Sequence, residues 1–399
     1  MKKIVFIFFL LLFKNSSVCF SQNSWIQMSN FGGGVRNSAV SFSIGSKGYV
    51  GTGSPNNTGL NLQNDFWEFD PSTNIWTQKA NYGGGPRLGA VCFSIGTKGY
   101  IGLGSDANMI YRDFWEYDPF TNIWTQMADF PGSLRHAAVG FSIGTKGYIG
   151  TGNAPTGGAL QDFWEYDPSS DSWSQKSNFG GIARTEAVGF SIGNHGYIGT
   201  GWIPNGISLQ DFWEYDPTLD TWNQKSSFGG NPRVSAVSFS IGSKGYIGIG
   251  LDGSFSRDFW EYDKANDTWA QKTNYGGPGR SNAVGFSVGG KGYVGTGWAG
   301  SFQSDCWEYT PDSINSEITQ YDQQQSISIY PNPIIDKLNI ESNNSNFFLE
   351  LYELSGNLLV KEVISSKQYS LNMNEFYSGI YFLILNSNNK SFRWKIIKK

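Results

Sequence analysis

The side chains through which this sequence could do chemistry are few: six regularly spaced arginines, Arg36, Arg87, Arg135, Arg184, Arg233 and Arg280, two histidines and three cysteines. Six equivalent guanidiniums can bind the carboxylates of a ligand, or they can hold carboxylates of their own fold. Their presence in every copy of a repeat favours the structural role, with Glu68, Glu116, Glu165, Glu214, Glu261 and Glu308 as expected partners, while a ligand-binding ring stays open. His136 follows Arg135 in a slot that elsewhere holds Asn37, Leu88, Thr185, Val234 and Ser281, and such free variation suits a surface or ligand-facing position. His195 occupies a turn slot that is lysine in the other copies, so it reads as a solvated turn residue. The one combination suited to acid–base work on a ligand is Arg135, His136, Arg184 and Glu186, if the fold gathers them on one face. No Ser/His/Asp order or phosphate-binding loop is present, so no catalytic residue is assigned. The histidines lie in non-equivalent slots of different copies, which argues against a metal site, and no cofactor is expected. Cys92 replaces a Ser or Gly of the repeat and Cys306 replaces a Phe, so both read as packing residues.

These residues are positioned by a repeat of 47 to 49 residues. Its strongest word, Asp-Phe-Trp-Glu-(Tyr/Phe)-Asp, starts at Asp65, Asp113, Asp162, Asp211 and Asp258, with a variant at Asp305. After each arginine comes Ala-Val-x-Phe-Ser-(Ile/Val)-Gly, whose apolar residues fall on alternate positions and so on one face of a strand. A short turn leads to Gly-Tyr-(Ile/Val)-Gly-x-Gly, which completes a hairpin. The Asp-Phe-Trp-Glu segment is a third strand, an Asp-Pro turn follows it in most copies, and a Trp-x-Gln strand is the fourth. Four strands per repeat make one propeller blade. The sixth copy lacks its Trp-x-Gln strand, and an orphan, Trp25-Ile26-Gln27, precedes the first arginine. The expectation is therefore an all-β, six-bladed propeller closed by its N-terminal strand, followed by a small β-sandwich domain.

From about Ser24 to Tyr309 the pattern resembles the kelch family: an arginine before the first strand, glycines ending the second, an aromatic and a spaced tryptophan in the third and fourth. It departs at the usual double glycine, where the first member is Thr52, Leu103, Thr151, Thr200, Ile249 or Thr296. The resemblance implies a propeller whose arginines stand near the channel mouth, where some members bind acidic peptides. It also brings sugar-acting enzymes of the mutarotase or oxidase class into view as the alternative to a binding protein. The copper oxidases among them need two histidines, two tyrosines and a cysteine crosslinked to tyrosine, a set that does not assemble here.

Binding specificity in a propeller resides in what differs between blades, chiefly the loops from second to third strand. Trp202, Trp298, Tyr111 and Phe255 are non-repeated aromatics in those loops and suit a sugar or protein surface. The ligand-binding candidates are therefore the six arginines with His136, Glu186, Trp202, Trp298 and Tyr111, and the ligand is a protein or glycan.

A net charge of −4 from 29 basic and 33 acidic residues provides no field for nucleic acid. Residues 1–21 read as a signal peptide: Lys2 and Lys3, an apolar run from Ile4 to Phe13, and cleavage after Ser21. That run is shorter than the ~20 residues a membrane span requires, and no transmembrane segment is expected in the mature chain. Residues 22–311 form the propeller and 312–325 a Ser/Asn/Gln linker. Residues 326–399 form a β-domain with strands expected at Ser326–Tyr330, Lys337–Glu341, Phe347–Leu351, Leu358–Ile364 and Ile380–Leu385. Its words Tyr330-Pro331-Asn332-Pro333, Leu351-Tyr352-Glu353-Leu354-Ser355-Gly356, Asn372-Met373 and Ser378-Gly379-Ile380-Tyr381-Phe382, with the basic end Lys395 to Lys399, resemble the type A C-terminal sorting domain of type IX (Por) secretion. The resemblance implies secretion and sorting machinery as partners, removal of this domain, and a secreted or outer-membrane-surface destination. A monomer is expected.

Overall fold

The structure is a computed structural model that describes residues 23–56, 61–312, 327–342, 347–353, 358–387 and 390–399. The expected signal peptide and nearly all of the expected linker lie outside these residues. The chain divides into two compact units, Met1–Ser313 and Ile314–Lys399.

The first unit is all-β, with repeated four-stranded antiparallel sheets of the β-propeller kind. Sheet three is representative: Val139–Ile143, Lys146–Gly150, Phe163–Asp167 and Ser172–Lys176 pair in chain order. The first strand buries alternate residues, Val139, Phe141 and Ile143, because its period of two puts them on one face. Six sheets of this type occur among the described residues; in the sixth the fourth strand is Ser24–Met28, which pairs with Cys306–Thr310, Trp25 opposite Tyr309.

Cores lie between sheets rather than within them. Val91, Phe93 and Phe114 of sheet two pack with Phe130, Ile149 and Tyr166 of the next repeat, and Val284, Phe286 and Tyr293 of sheet six pack with Phe31, Val50 and Phe69 of the first. Each fully buried aromatic contributes ~1.5–3 kcal/mol. The second-strand glycine permits this approach: a Cβ on Gly147 would sit 2.2 Å from the Phe93 ring of the preceding sheet. At the outer rim, the residue before each fourth strand bonds the backbone of the preceding repeat. Asn122 Oδ1 accepts from Ala80 N (2.9 Å), Asp171 Oδ1 from Ala128 N (2.9 Å), and Asn23 Oδ1 from Thr273 N (3.0 Å). All three have positive φ, which Asn and Asp adopt more readily than other side-chain-bearing residues.

The second unit holds a three-stranded sheet (Ile327–Tyr330, Lys337–Ser342, Gln368–Asn372) and a four-stranded one (Phe347–Glu353, Leu358–Ile364, Gly379–Ser387, Lys390–Lys398) around a core that includes Leu338, Leu349, Leu383 and Ile396. Two strands were not foreseen, Gln368–Asn372 and Lys390–Lys398. The second of these absorbs most of the basic end, because strand alternation turns Ile396 inward while Ile397 stays exposed. The Tyr330-Pro331-Asn332-Pro333 word is held to it: Asn332 Oδ1 accepts from Ile397 N at 2.9 Å and Ile334 N donates to Ile397 O at 2.7 Å.

Candidate functional site

The six arginines are each 0% exposed. Their partners are not the glutamates of the repeat word but the aspartates that open it. Arg184 Nη1 and Nη2 donate to Asp211 Oδ1 (2.7 Å) and Oδ2 (2.6 Å), and Nη1 also donates to the Thr200 carbonyl at 2.9 Å. Asp65, Asp113, Asp258 and Asp305 hold Arg36, Arg87, Arg233 and Arg280 in the same bidentate way. Each guanidinium lies 4.6 to 5.1 Å from the aromatic residue that begins its own loop, such as Phe179 beneath Arg184. The glutamates accept instead from the second-strand tyrosines, as Glu165 does from Tyr148 at 2.7 Å.

Burial pushes the Asp211 carboxyl upward, but the hydrogen bonds and charge of Arg184 outweigh it and hold that carboxyl below the usual aspartate value. Asp258 and Asp305 behave alike with Arg233 and Arg280. The guanidiniums also meet the residues that stand in place of the first member of a double glycine. Thr52, Leu103, Thr151, Thr200, Ile249 and Thr296 have positive φ, between 51° and 61°, and each offers its carbonyl to the arginine. A β-branched residue in that region is strained, and the arginine is one of the contacts that hold it there.

Directly after the arginines, the inner strands meet. Ser38 N donates to Asn282 O, Asn282 N to Ser235 O, Ser235 N to Glu186 O, Glu186 N to Ala137 O, Ala137 N to Gly89 O and Gly89 N to Ser38 O, at 2.9 to 3.2 Å. These six amides run head to tail back to their start. Next to them lies a cavity of about 170 Å³ lined by the following residues of each inner strand, Ala39 to Ser41 and their equivalents. Cys92 is in its wall and donates to Ser41 O at 3.1 Å; burial pushes its thiol up to about 12, as it does that of Cys306.

The positions around the amide ring are the ones the repeat leaves variable. The ring itself carries Ser38, Gly89, Ala137, Glu186, Ser235 and Asn282. The slot before it, Asn37 to Ser281, bridges the start of the second-to-third-strand loops: Asn37 to Ser54, Leu88 to Ser105, His136 to Asn153, Thr185 to Trp202, Val234 to Leu251 and Ser281 to Trp298. His136, Glu186, Trp202 and Trp298 thus stand at one end of the inner strands. His136 precedes Ala137, the ring neighbour of Glu186; burial lowers the His136 pKa below its ordinary value, and the Glu186 charge opposes this. Glu186 Oε2 accepts from Ser235 Oγ. Arg135 and Arg184 sit beside them in the chain but are engaged by Asp162 and Asp211.

The loop aromatics divide. Trp202 is half-buried on a two-residue hairpin arm paired with Ile207–Ser208. Trp298 packs edge-on against Phe302 (4.7 Å). Tyr111 covers Arg87 at 4.2 Å and donates to Asp106 at 2.5 Å. Sequence reasoning missed Asn153 and Ser235; their signal was the same variation between copies that marked His136. His195 is a turn residue in contact with Lys264, Nδ1 to Nζ 2.8 Å, where Lys264 replaces the turn proline of the other repeats. Among the described residues no group of three or more His, Cys, Asp or Glu could hold a metal.

The first unit is similar to a solved structure titled "Structure of YjhT", with a TM-score of 0.60 and 16% identity over 70% of this chain and 95% of that one, a likeness of fold alone. No curated protein matches the sequence. Residues 328–399 match the secretion system C-terminal sorting domain family. The protein is therefore exported by type IX secretion to the cell surface or the extracellular space.

Proposed function

We propose that residues 22–311 form a kelch-like, six-bladed propeller closed by Ser24–Met28, that it binds a protein or glycan without catalysis, and that it acts as an adhesion or capture module at the cell surface. In this reading residues 1–21 are a removed leader, 312–325 a linker and 326–399 the sorting domain. The observation that carries it is the gathering of the variable residues on one end of the inner strands, above a layer that is nearly identical in every repeat. A binding surface built on a repeat has to be made of its departures from the repeat. The arginines serve it from below, as supports of the strand ends.

The test is binding of the purified chain to a glycan array and to a panel of extracellular proteins; binding abolished by substitutions at His136 and Glu186 but kept by substitutions in the turns at the other end supports the reading. Absence of any ligand in both formats defeats it. One observation favours the second reading, a sugar-acting enzyme: His136, held toward its neutral form, and Glu186 are neighbours at the mouth. Accelerated anomer interconversion of a free sugar, lost in Glu186→Gln, would establish it.

A further inference from the structure

The two sheets of the second unit present unlike outer faces. In the three-stranded sheet the residues that point away from the core are Lys337, Asn339 and Glu341, set opposite Asn372, Ser370 and Gln368. They bond to one another: Ser370 Oγ donates to Asn339 Oδ1 at 3.0 Å, and Glu341 Oε1 accepts from Gln368 Nε2 at 3.2 Å and from the Tyr330 hydroxyl at 2.6 Å. That is the ordinary state of an antiparallel sheet with one face in water. The four-stranded sheet departs from it. Strand alternation puts Phe347, Leu349 and Leu351 in the core and turns Phe348, Glu350 and Tyr352 outward. On that face Phe348 stands opposite Val363, and Tyr352 lies between Leu358 and Phe382. Val363 is 66% exposed, Phe348 54%, Leu358 46% and Phe382 42%, and none of them packs against the buried core. Between them Glu350 accepts from Lys361 at 2.9 Å and from the Tyr352 hydroxyl at 3.0 Å.

Strands about 4.8 Å apart that rise about 3.4 Å per residue spread this face over roughly 300 Å², the scale at which an apolar patch marks an interaction site. Its occupant follows from the role of the domain. Residues 328–399 match the sorting-domain family, so a protein of the secretion apparatus has to recognise them. Tyr352 and Phe382 come from two different sorting words and meet on this face, although the fold leaves both out of its core. A lipid surface is the poorer match: adsorption calls for free lysines and arginines around an apolar face, whereas Lys361 is tied to Glu350 and a carboxylate sits at the centre. A second copy would cover the surface by which each chain is addressed. The area suits a transient contact, as cargo that is handed on requires.

We propose that the outer face of the four-stranded sheet, built on Phe348, Val363, Tyr352 and Phe382, docks on a protein of the secretion apparatus whose own surface is apolar, with a donor or cation placed for Glu350. The test uses the full chain in cells that carry type IX secretion, with a photo-crosslinking amino acid at position 363 and, separately, at position 370 on the polar face. The expected result is an adduct from position 363 to an identified component of the apparatus, and at least tenfold less from position 370. Val363→Glu and Phe348→Glu, each checked for an unchanged thermal melt, lower the exported fraction at least tenfold, while Ser370→Glu is exported normally. Val363 lies on an edge strand outside the core, so its variant decides the matter should Phe348→Glu fail to fold. An adduct from position 363 to the chain's own first unit, to a second copy or to lipid overturns the proposal. So do equal adducts from the two positions, no adduct from position 363, or normal export of Val363→Glu. None of these outcomes touches the binding role proposed for the first unit.

Discussion

Arg135 and His136 are neighbours in the chain and belong to two different layers. Arg135 is one of six fully buried guanidiniums, each tied to an aspartate, a carbonyl and an aromatic ring. His136 is half-buried, with a ring nitrogen that has no partner, in a slot that changes from repeat to repeat. The first layer repeats because it solves the same problem six times: anchoring the end of an inner strand to the start of a third. The second layer has no such duty. Its backbone is held by the amide ring and the paired bridges, so its side chains are free to differ, and the proposed binding function has its specificity there.

The sharpest break of this contrast is Arg184→Ala. It leaves Asp211 without its cation and the Thr200 carbonyl without its donor, and it is expected to cost about 3–5 kcal/mol in a denaturant titration. An equal cost for His136→Ala would erase the distinction. The same pairs set an acid limit. Folding lowers the carboxyl pKa of Asp211, Asp258 and Asp305, so the stabilisation is fully present above the unfolded value of about 3.9 and is lost as pH falls through the lower folded value. Thermal melts from pH 6 downward should decline steeply only below about pH 4, and a variant lacking Arg184 should show a shallower decline.

Smaller effects test the seams. Gly147→Ala drives a methyl into the Phe93 ring and should cost about 1–3 kcal/mol, read by the same titration. Asn23→Ala removes bonds to Thr273 N and the Tyr309 hydroxyl, at 3.0 and 3.1 Å, and should cost about 1–2 kcal/mol; a cost far below that of Asn122→Ala would mean that the N-terminal strand contributes little to closing the ring. The smallest change is expected from His136→Ala, within about 0.5 kcal/mol of the parent in stability while altering ligand binding.

The strand pattern was legible because a period of two marks a half-buried strand wherever it occurs, and six copies let each be checked against the others. The pairing of the arginines was not. Asp65 and Glu68 stand in the same word, and spacing alone does not choose between them. A strand rises about 3.3 Å per residue, so the two carboxylates lie roughly 10 Å apart along the sheet, and the antiparallel register places Glu68 opposite Tyr49 and leaves Asp65 at the end where Arg36 arrives. In the tail, the sorting words are legible one by one, but the strand Lys390–Lys398 is not, because its last residues, Lys395 to Lys399, read as a basic end and, of the side chains described there, only Ile396 is buried.

What the sequence by itself determined is the repeat, its four strands, the orphan Trp25 segment and the export address, since each is written in local order and needs no partner to be read. Tertiary structure alone decided which carboxylate neutralises each arginine and that His136, Asn153, Glu186 and Ser235 share one corner. Those relations join residues from different strands and different repeats, brought together only when each inner strand donates an amide to the next.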